Sequence, residues 1–491
     1  MITASMLYDL VVCPHRPTMD LRTDPADRDP THPFVELLWE RGNAYEAKVI
    51  AGLSAPFVDL SAYETDEKER RTAEAMDAGA PLIYAGRIRA ADLLGVPDLL
   101  RREPCGYVPG DIKSGAGEEG PEDDSKPKPH YAVQLALYVD ILERQGRLSE
   151  RRGFVWDRHG EEVPYDLTAP QGKRGTLWQD YEKALALARG IAAGTTETRP
   201  AYAAPCKLCH WYSSCTARLK REDDLTLLPE LGREKRDALS KTFPTVKAFA
   251  AAETAPHILK KKTAFPGIGP DTLEKLQARA KLRADGGQPY AKRPLAFPGH
   301  ARELFFDVET HPMLELCYLH GFVVRENRDD ATERCVQFFA DEPTPEAEGE
   351  AFRKAWAFLR DHRPCALYYY SPYERTTLAH LARRHRAVCS EDEVRALFDG
   401  DDAVDLYHDA VRPHTEWPTL DFSVKTLAEY LGFRWRDPHP SGAASVRWYH
   451  DYLANPDPAR KQRILDYNED DCRAMRVLLD ALRLIPRRVT A

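Results

Sequence analysis

The chain has 491 residues, of which 30% are charged and 43% hydrophobic, and it carries a formal net charge of -9. That length is too great for one ordinary core and predicts about three domains, while the composition describes a soluble globular protein rather than a disordered one. No apolar run approaches transmembrane length, so no membrane association is expected, and the acidic balance argues against a protein that coats nucleic acid indiscriminately.

Met1 to Arg16 has no basic n-region and no long apolar segment, so no signal peptide is read and a cytoplasmic location is expected. The pattern RGNAYEAKVIAGL predicts a helix carrying Glu46. From Asp98 to Gly115, GVPDLL and GYVPGDIKSG predict two strands joined by a polar turn. This hairpin would let Asp98 and Asp111 bind one divalent ion. Lys113 shares a face with Asp111, where it can orient the attacking water or offset transition-state charge. The following GAGEEGPEDDSKPKP predicts a hydrated, mobile loop, because blocks of like charge repel and stay solvated. HYAVQLALYVDIL then predicts a helix with Gln134 and Tyr138 at i, i+4 on one face, placed to hold DNA or the lysine. Singly these motifs are weak, since a D-x-K on a hairpin is more often a solvated pair.

As an ordered set, Glu46, Asp98, Asp111-x-Lys113 and Gln134-x3-Tyr138 resemble the RecB family of nucleases, within the PD-(D/E)XK superfamily. The resemblance implies metal ligands at Glu46, Asp98 and Asp111, a catalytic Lys113, and the family's Q-x3-Y helix at Gln134 and Tyr138. Many members have histidine in the first motif, where this chain has Glu46.

Ten cysteines, three of them spaced Cys206-x2-Cys209-x5-Cys215, point to metal ligation in a reducing compartment rather than to a disulfide scaffold. With Cys13, in LVVCPHR, they make four thiolates that suit structural zinc or a [4Fe-4S] cluster. The resemblance to RecB-like members that close their nuclease fold with four cysteines implies the iron-sulfur cluster.

The charge is uneven. Arg221 to His300 holds 15 Lys plus Arg against 10 Asp plus Glu, a local excess that makes the middle the expected phosphate-binding part. Residues 225–250 and 257–283 predict two short helical units. In the second, Pro266-Gly267-Ile268-Gly269 forms a turn opening a helix, and its backbone N-H groups can face a phosphate beside Lys260, Lys261, Lys262, Lys275 and Arg279. The turn resembles a helix-hairpin-helix motif, which would bind duplex backbones without reading sequence. A helical linker with a surface turn is the plainer alternative. Pro- and Gly-rich DGGQPYAKRPLAFPGH marks the next boundary.

LFFDVETHP opens the last domain with an apolar strand that carries Asp307 and Glu309 at i, i+2 on one face. CYLHGFVV and CVQFFA predict further strands, and CALYYYSPYERTTLAHLARRH runs from strand to helix. This order suits an RNase H-like mixed sheet. Tyr467-x3-Asp471 lies on a late helix. The set resembles the DEDD 3'-5' exonucleases, and the resemblance implies two-metal binding by Asp307, Glu309, Glu374 and Asp471 with Tyr467 orienting the water. Glu374 stands where the usual pattern has aspartate. Asp405 is a reserve ligand that more simply supports the fold, and a spent RNase H fold kept for binding is the alternative for the whole domain.

The full order resembles a prokaryotic RecB-like nuclease family with an appended RNase H-like domain. The expected fold class is α/β multidomain: a RecB-like PD-(D/E)XK nuclease with an iron-sulfur clasp over 1–218, a helix-hairpin-helix DNA-binding segment over 219–298, and an RNase H-like DEDD exonuclease domain over 299–491. The expected function is a DNA exonuclease using Mg2+ or Mn2+ on single-stranded or frayed ends in repair, recombination or anti-phage defence. RNA processing by the C-terminal site, or a non-catalytic DNA-end-binding subunit of a helicase-nuclease complex, are the alternatives. No G-x4-G-K-[ST] P-loop occurs, so any unwinding falls to a helicase or defence-complex partner.

Overall fold

The computed structural model describes residues 1–120, 125–172 and 175–488. Pro121 to Asp124, within the acidic loop expected to be mobile, lie outside them; the flanking residues Glu118–Glu119 and Lys126–Pro127 pair as a short antiparallel ribbon. The chain divides into two units, one built from residues 1–200 and 204–215, the other from 201–203 and from 216 onward. Segment 219–298 belongs to the second unit yet keeps its own core.

In the first unit, helices α1 (Ala4–Val12) and α2 (Pro33–Ala51) precede strands β1 (Val58–Asp59), β2 (Leu82–Tyr84), β3 (Leu99–Glu103) and β4 (Gly106–Ile112). Helix α3 (Pro129–Arg144) and strands β5 (Arg152–Trp156) and β6 (Glu162–Asp166) follow. The sheet order is β6, β5, β4, β3, β2, β1. The expected hairpin is β3 and β4, antiparallel with Leu99 opposite Gly110. GVPDLL is not one strand, however. A short strand ends at Gly95, Pro97 cannot donate to a ladder, and β3 starts only at Leu99, so Asp98 sits at the strand's mouth.

Strand β4 explains how an acid reaches the interior. Val108 and Ile112 join Leu99 and Phe154 in a core closed by Tyr45 and Val49 of α2. Gly110 shares that face, where a Cβ would lie 2.3 Å from the Phe154 ring. The two-residue alternation turns Asp111 to the opposite face, the side covered by α3. Helix α3 starts with proline at its first position and buries most of Ala132 to Leu142 in the larger core.

The predicted middle, within the second unit, holds three α-helices. These are α4 (Gly232–Leu239), α5 (Val246–Ala251) and α6 (Pro270–Ala284), packed around Leu239, Phe249, Phe265 and Leu273. The start of the second expected helical unit is instead a hairpin, Ile258–Leu259 against Lys262–Thr263, turned at Lys260 with φ +59°.

The remaining sheet contains β7 (Arg302–His311), β8 (Leu316–Glu326), β9 (Asp329–Phe339), β10 (Ala366–Tyr369) and β11 (Ala403–Asp405), in the order β9, β8, β7, β10, β11. Strands β7, β8 and β9 are antiparallel; β10 and β11 run parallel to β7. This is the expected mixed sheet. Helix α7 (Pro345–Asp361) and α8 (Tyr373–Arg384) cover Leu304, Phe306 and Val308 on one face. Helices α9 (Val424–Tyr430), α10 (Gly442–Ala454) and α11 (Pro458–Leu484) lie later in the chain, and α11 covers Phe305 through Cys472, Met475 and Leu479. Two devices hold α11 against that face. At one end Arg325 pairs with Glu303 at 2.7 Å and with Asp480 at 2.8 Å, all within reach of Arg483. At the other, Gly321 leaves space for Asn468, since a Cβ there would sit 1.6 Å from Asn468 Oδ1.

Candidate metal centres

At the mouth of β3 and the end of β4, the Asp98 and Asp111 carboxylates face one lysine. Asp98 Oδ2 accepts from the Ile112 N-H at 2.7 Å, which ties the two strand ends together. Lys113 Nζ lies 3.2 Å from Asp111 Oδ2. Burial, then the Asp111 charge, pushes the Asp98 carboxyl up to about 8, with Lys113 opposing and Glu46 adding to the rise. Burial works against the Lys113 ammonium, but Asp111 and Asp98 outweigh it and hold the group protonated. Glu46 reaches this neighbourhood from α2 and accepts from Tyr84 Oη at 2.9 Å.

The Q-x3-Y pair divides its work. Tyr138 is buried, its ring would collide with a Cβ at Gly95, and its hydroxyl donates to the Val96 carbonyl at 3.3 Å. It therefore braces the segment leading into Asp98. Gln134 Oε1 is buried without a hydrogen-bond partner. The sequence reading missed the aromatic wall of this site. Lys113 Nζ sits 5.5 Å from the Tyr131 ring centroid and Lys128 Nζ 5.1 Å, with His130 edge-on to Tyr131. Burial, then Lys128 and Lys113, lowers His130 to about 4 and keeps it neutral. The sequence HYAVQ placed both rings beside Gln134, but helical spacing alone did not say that they turn toward Lys113.

The C-terminal cluster is tighter. Oxygen atoms of Asp307, Glu309 and Asp471 lie within 4.8 Å of one another. Asp307 and Glu309 come from the face of β7 that α11 covers, and Asp471 from α11 itself. Burial and the Asp471 charge push Asp307 up to about 8; burial and Asp307 carry Glu309 well above the usual carboxylate range. Glu374, near the start of α8, stands outside the three-residue set, with Oε2 buried and without a hydrogen-bond partner. Burial and Asp307 raise its pKa strongly as well. Tyr467 is buried one helical turn before Asp471 and hydrogen-bonded to it, which together raise its phenol. Asp405 caps its own turn, accepting from the Tyr407 and Ser371 N-H groups at 2.9 and 3.0 Å, and so supports the fold.

Three residues here escaped the sequence reading. Asn468 Nδ2 donates to Asp307 Oδ2 at 2.7 Å. Trp435 Nε1 donates to Asp471 Oδ1 at 2.7 Å. Lys425 Nζ lies 2.8 Å from each Asp471 oxygen. Asn468 was visible inside YNEDD, whereas Lys425 in SVKTLAEYL has only the look of a surface helix residue.

Cys13 closes α1, Cys206 and Cys209 lie in and just after a short 3-10 turn, and Cys215 lies on the helix Tyr212–Arg221. None of the ten cysteines forms a disulfide. Burial raises the Cys209 thiol, with Cys13 and Cys206 close enough to add to the rise. The cysteine segment docks on the N-terminal stretch through Trp211 Nε1 and His210 Nε2, each 2.9 Å from Asp20 Oδ1.

In the middle segment, Lys260, Lys261 and Lys262 are exposed on the hairpin turn, and Gly267 takes φ +72°, a conformation glycine accepts freely. Two parts of the expected phosphate site change. The Ile268 N-H is spent on the Phe265 carbonyl, and the Ile268 side chain is core. Arg279 is 1% exposed, bonded to Glu416 at 2.7 Å and to Glu230 at 3.0 Å, so its charge serves the interior. Lys275 is likewise paired with Glu230, at 2.8 Å.

Residues 16–216 match the family model of the PD-(D/E)XK nuclease superfamily, and residues 304–483 match that of the RNase_H superfamily. No curated protein matches the chain. The two matches indicate a nuclease, with nucleic acid as substrate. Among the described residues, no helix is long and apolar enough to cross a membrane.

Proposed function

We propose that the chain is a metal-dependent DNA exonuclease acting on single-stranded or frayed ends, with Asp98, Asp111 and Lys113 as the principal centre and Asp307, Glu309, Glu374, Asp471 and Tyr467 as a second. The observation that carries this reading is that each nuclease-superfamily unit gathers buried carboxylates beside a lysine at the end of its sheet. Both donor sets fit Mg2+ or Mn2+. They offer hard oxygen ligands, and like charges this close stay ionised only when a cation offsets them, as the rise of Asp98 and Asp307 to about 8 records. Bound there, such an ion would activate water and offset charge on the scissile phosphate.

The protein's own groups supply the rest. Lys113, held protonated, places a fixed positive charge where negative charge develops. Glu46 is the third acid of the principal centre, and Gln134 turns an unpaired oxygen inward from α3. Tyr467, with its proton retained by burial, can donate to a water at the second centre. Cys13, Cys206, Cys209 and Cys215 would hold a [4Fe-4S] cluster, a donor set of four thiolates that suits iron and sulfide. The cluster would clasp the two ends of the first unit. In a helix-hairpin-helix role, Gly267 and Gly269 with Lys260 to Lys262 would grip duplex backbones. Repair, recombination or anti-phage defence, with a helicase or defence complex as partner, is the biological setting proposed.

The test is nucleotide release from matched DNA and RNA, single-stranded and duplex, in Mg2+ or Mn2+, by wild type beside Lys113→Ala and Asp307→Ala. Release from DNA ends that falls sharply in Lys113→Ala supports the reading. RNA cleaved faster than DNA, and lost only in Asp307→Ala, replaces it with RNA processing. No release from any substrate leaves a DNA-end-binding subunit.

A further inference from the structure

Counter-charge is unevenly spread over the C-terminal cluster. Asp471 is saturated: both of its oxygens lie 2.8 Å from Lys425 Nζ, and Oδ1 also accepts from Trp435 Nε1. The ammonium is further held by two rings, 4.9 Å from the centroid of Tyr467 and 5.4 Å from that of Trp435. A lysine commonly lays its stem along apolar surface and keeps its charged head in water, but here the side chain is only 27% exposed and the ammonium itself is paired. Among the described residues, the opposite side of the cluster is hydrogen-bonded by neutral donors, with Tyr318 Oη 3.4 Å from Glu309 Oε2. Asp307 Oδ2 accepts from the neutral amide of Asn468 at 2.7 Å, and Glu374 Oε2 is buried with no hydrogen bond.

We infer that Lys425 is the resident cation of this centre, occupying the Asp471 side in place of a second divalent ion, so that the site takes one divalent ion on its Asp307 and Glu309 side. This rests on the reading of the cluster as a metal centre. A two-ion site holds its metals about 3.5–4 Å apart between shared carboxylates. A second ion on Asp471 would have to break two charge-assisted hydrogen bonds and withdraw the ammonium from both rings. A retained ammonium would instead repel it. Lys425 then acts through Asp471 as a positioning residue, giving this centre one metal and one fixed organic charge.

Bound Mn2+ is counted by EPR at saturating metal in full-length protein carrying Asp111→Asn, and the C-terminal share is the part lost when Asp307→Asn is added. With Lys425 present that share should be one ion without Mn-Mn dipolar coupling. Lys425→Met, which keeps the stem and removes the charge, should take two coupled ions, and Lys425→Arg should return to one. A coupled pair with Lys425 in place, or equal counts for Lys425 and Lys425→Met, overturns the inference while leaving the metal centre standing. Should Lys425→Met fail to fold, the count with Lys425 and with Lys425→Arg still decides between one ion and two. No Mn2+ sensitive to Asp307→Asn overturns the metal-centre reading and this inference with it.

Discussion

The two acid clusters set a lysine against paired carboxylates, but they draw it from different distances along the chain. In the first unit Asp98, Asp111 and Lys113 all lie on one hairpin, and the lysine is two residues from its acid. In the second, Asp307 and Glu309 share a strand, while Lys425, Asn468 and Asp471 arrive from helices more than a hundred residues later. The local arrangement keeps its charge balance as long as one hairpin stays folded. The dispersed one depends on how closely α9 and α11 are held to the sheet, so it is open to tuning by residues remote from the chemistry.

Chelation should produce the largest effect and test what the clusters share. EDTA is expected to abolish nucleotide release, and Mn2+ to restore it; cleavage that persists in EDTA would remove metal chemistry from both. Lys113→Ala separates them. It should lower kcat on DNA by roughly 10²–10³-fold with little change in binding, the usual cost of removing one group that stabilises transition-state charge. The residue of activity should vanish when Asp307→Ala is added. An unchanged rate in folded Lys113→Ala would break the parallel.

Acid stability comes next. Asp98 and Asp307 both titrate near 8 when folded, against the ordinary 3.8, so the metal-free native state binds more protons than the unfolded chain between those values. Metal-free protein should therefore lose stability as pH rises from about 4 through about 8. Asp98→Asn and Asp307→Asn should each flatten the slope of Tm against pH, and Mn2+ should raise Tm most at the alkaline end. Equal slopes in wild type and in both variants would show that neither acid is held up by its neighbours.

The smallest effects fall on the middle segment. Replacing Lys260, Lys261 and Lys262 by alanine should weaken duplex binding and reduce the salt slope by up to about 3, near 0.9 per lost phosphate contact. Arg279→Ala should leave that slope unchanged and instead destabilise the fold by about 3–5 kcal/mol, as expected for breaking a buried ion pair. If Arg279→Ala changes the slope as much as the lysines do, the division between surface and interior charge is wrong.

Legibility followed the same local and dispersed division. The hairpin of β3 and β4, the strand of Asp307 and Glu309, and the helix of Tyr467 and Asp471 could be read because periodicity and motif spacing act over a few residues. Lys425 could not, since its partners are fixed by how α9 packs against α11. The burial of Arg279, expected beside a phosphate, is hidden for the same reason. A cation in a basic helix looks solvated until Glu416, 137 residues away, is seen to meet it. Tyr138 had the right helix and face, but its depth came from the close approach of Gly95, which spacing does not report.

One missing methyl group sets the bite of the second centre. Gly321 lies opposite Asp307 across the β7 and β8 ladder, and Asn468 fills the notch it leaves. Any heavier residue at 321 would act as a shim under α11, lifting Asn468 off Asp307 and carrying Asp471, nearly one turn on, away from the strand acids. A graded series from alanine to valine would then open the jaws of the cluster stepwise without altering a single ligand. The separation of its acids is thus adjustable from the neighbouring strand, by a position that is not itself a ligand.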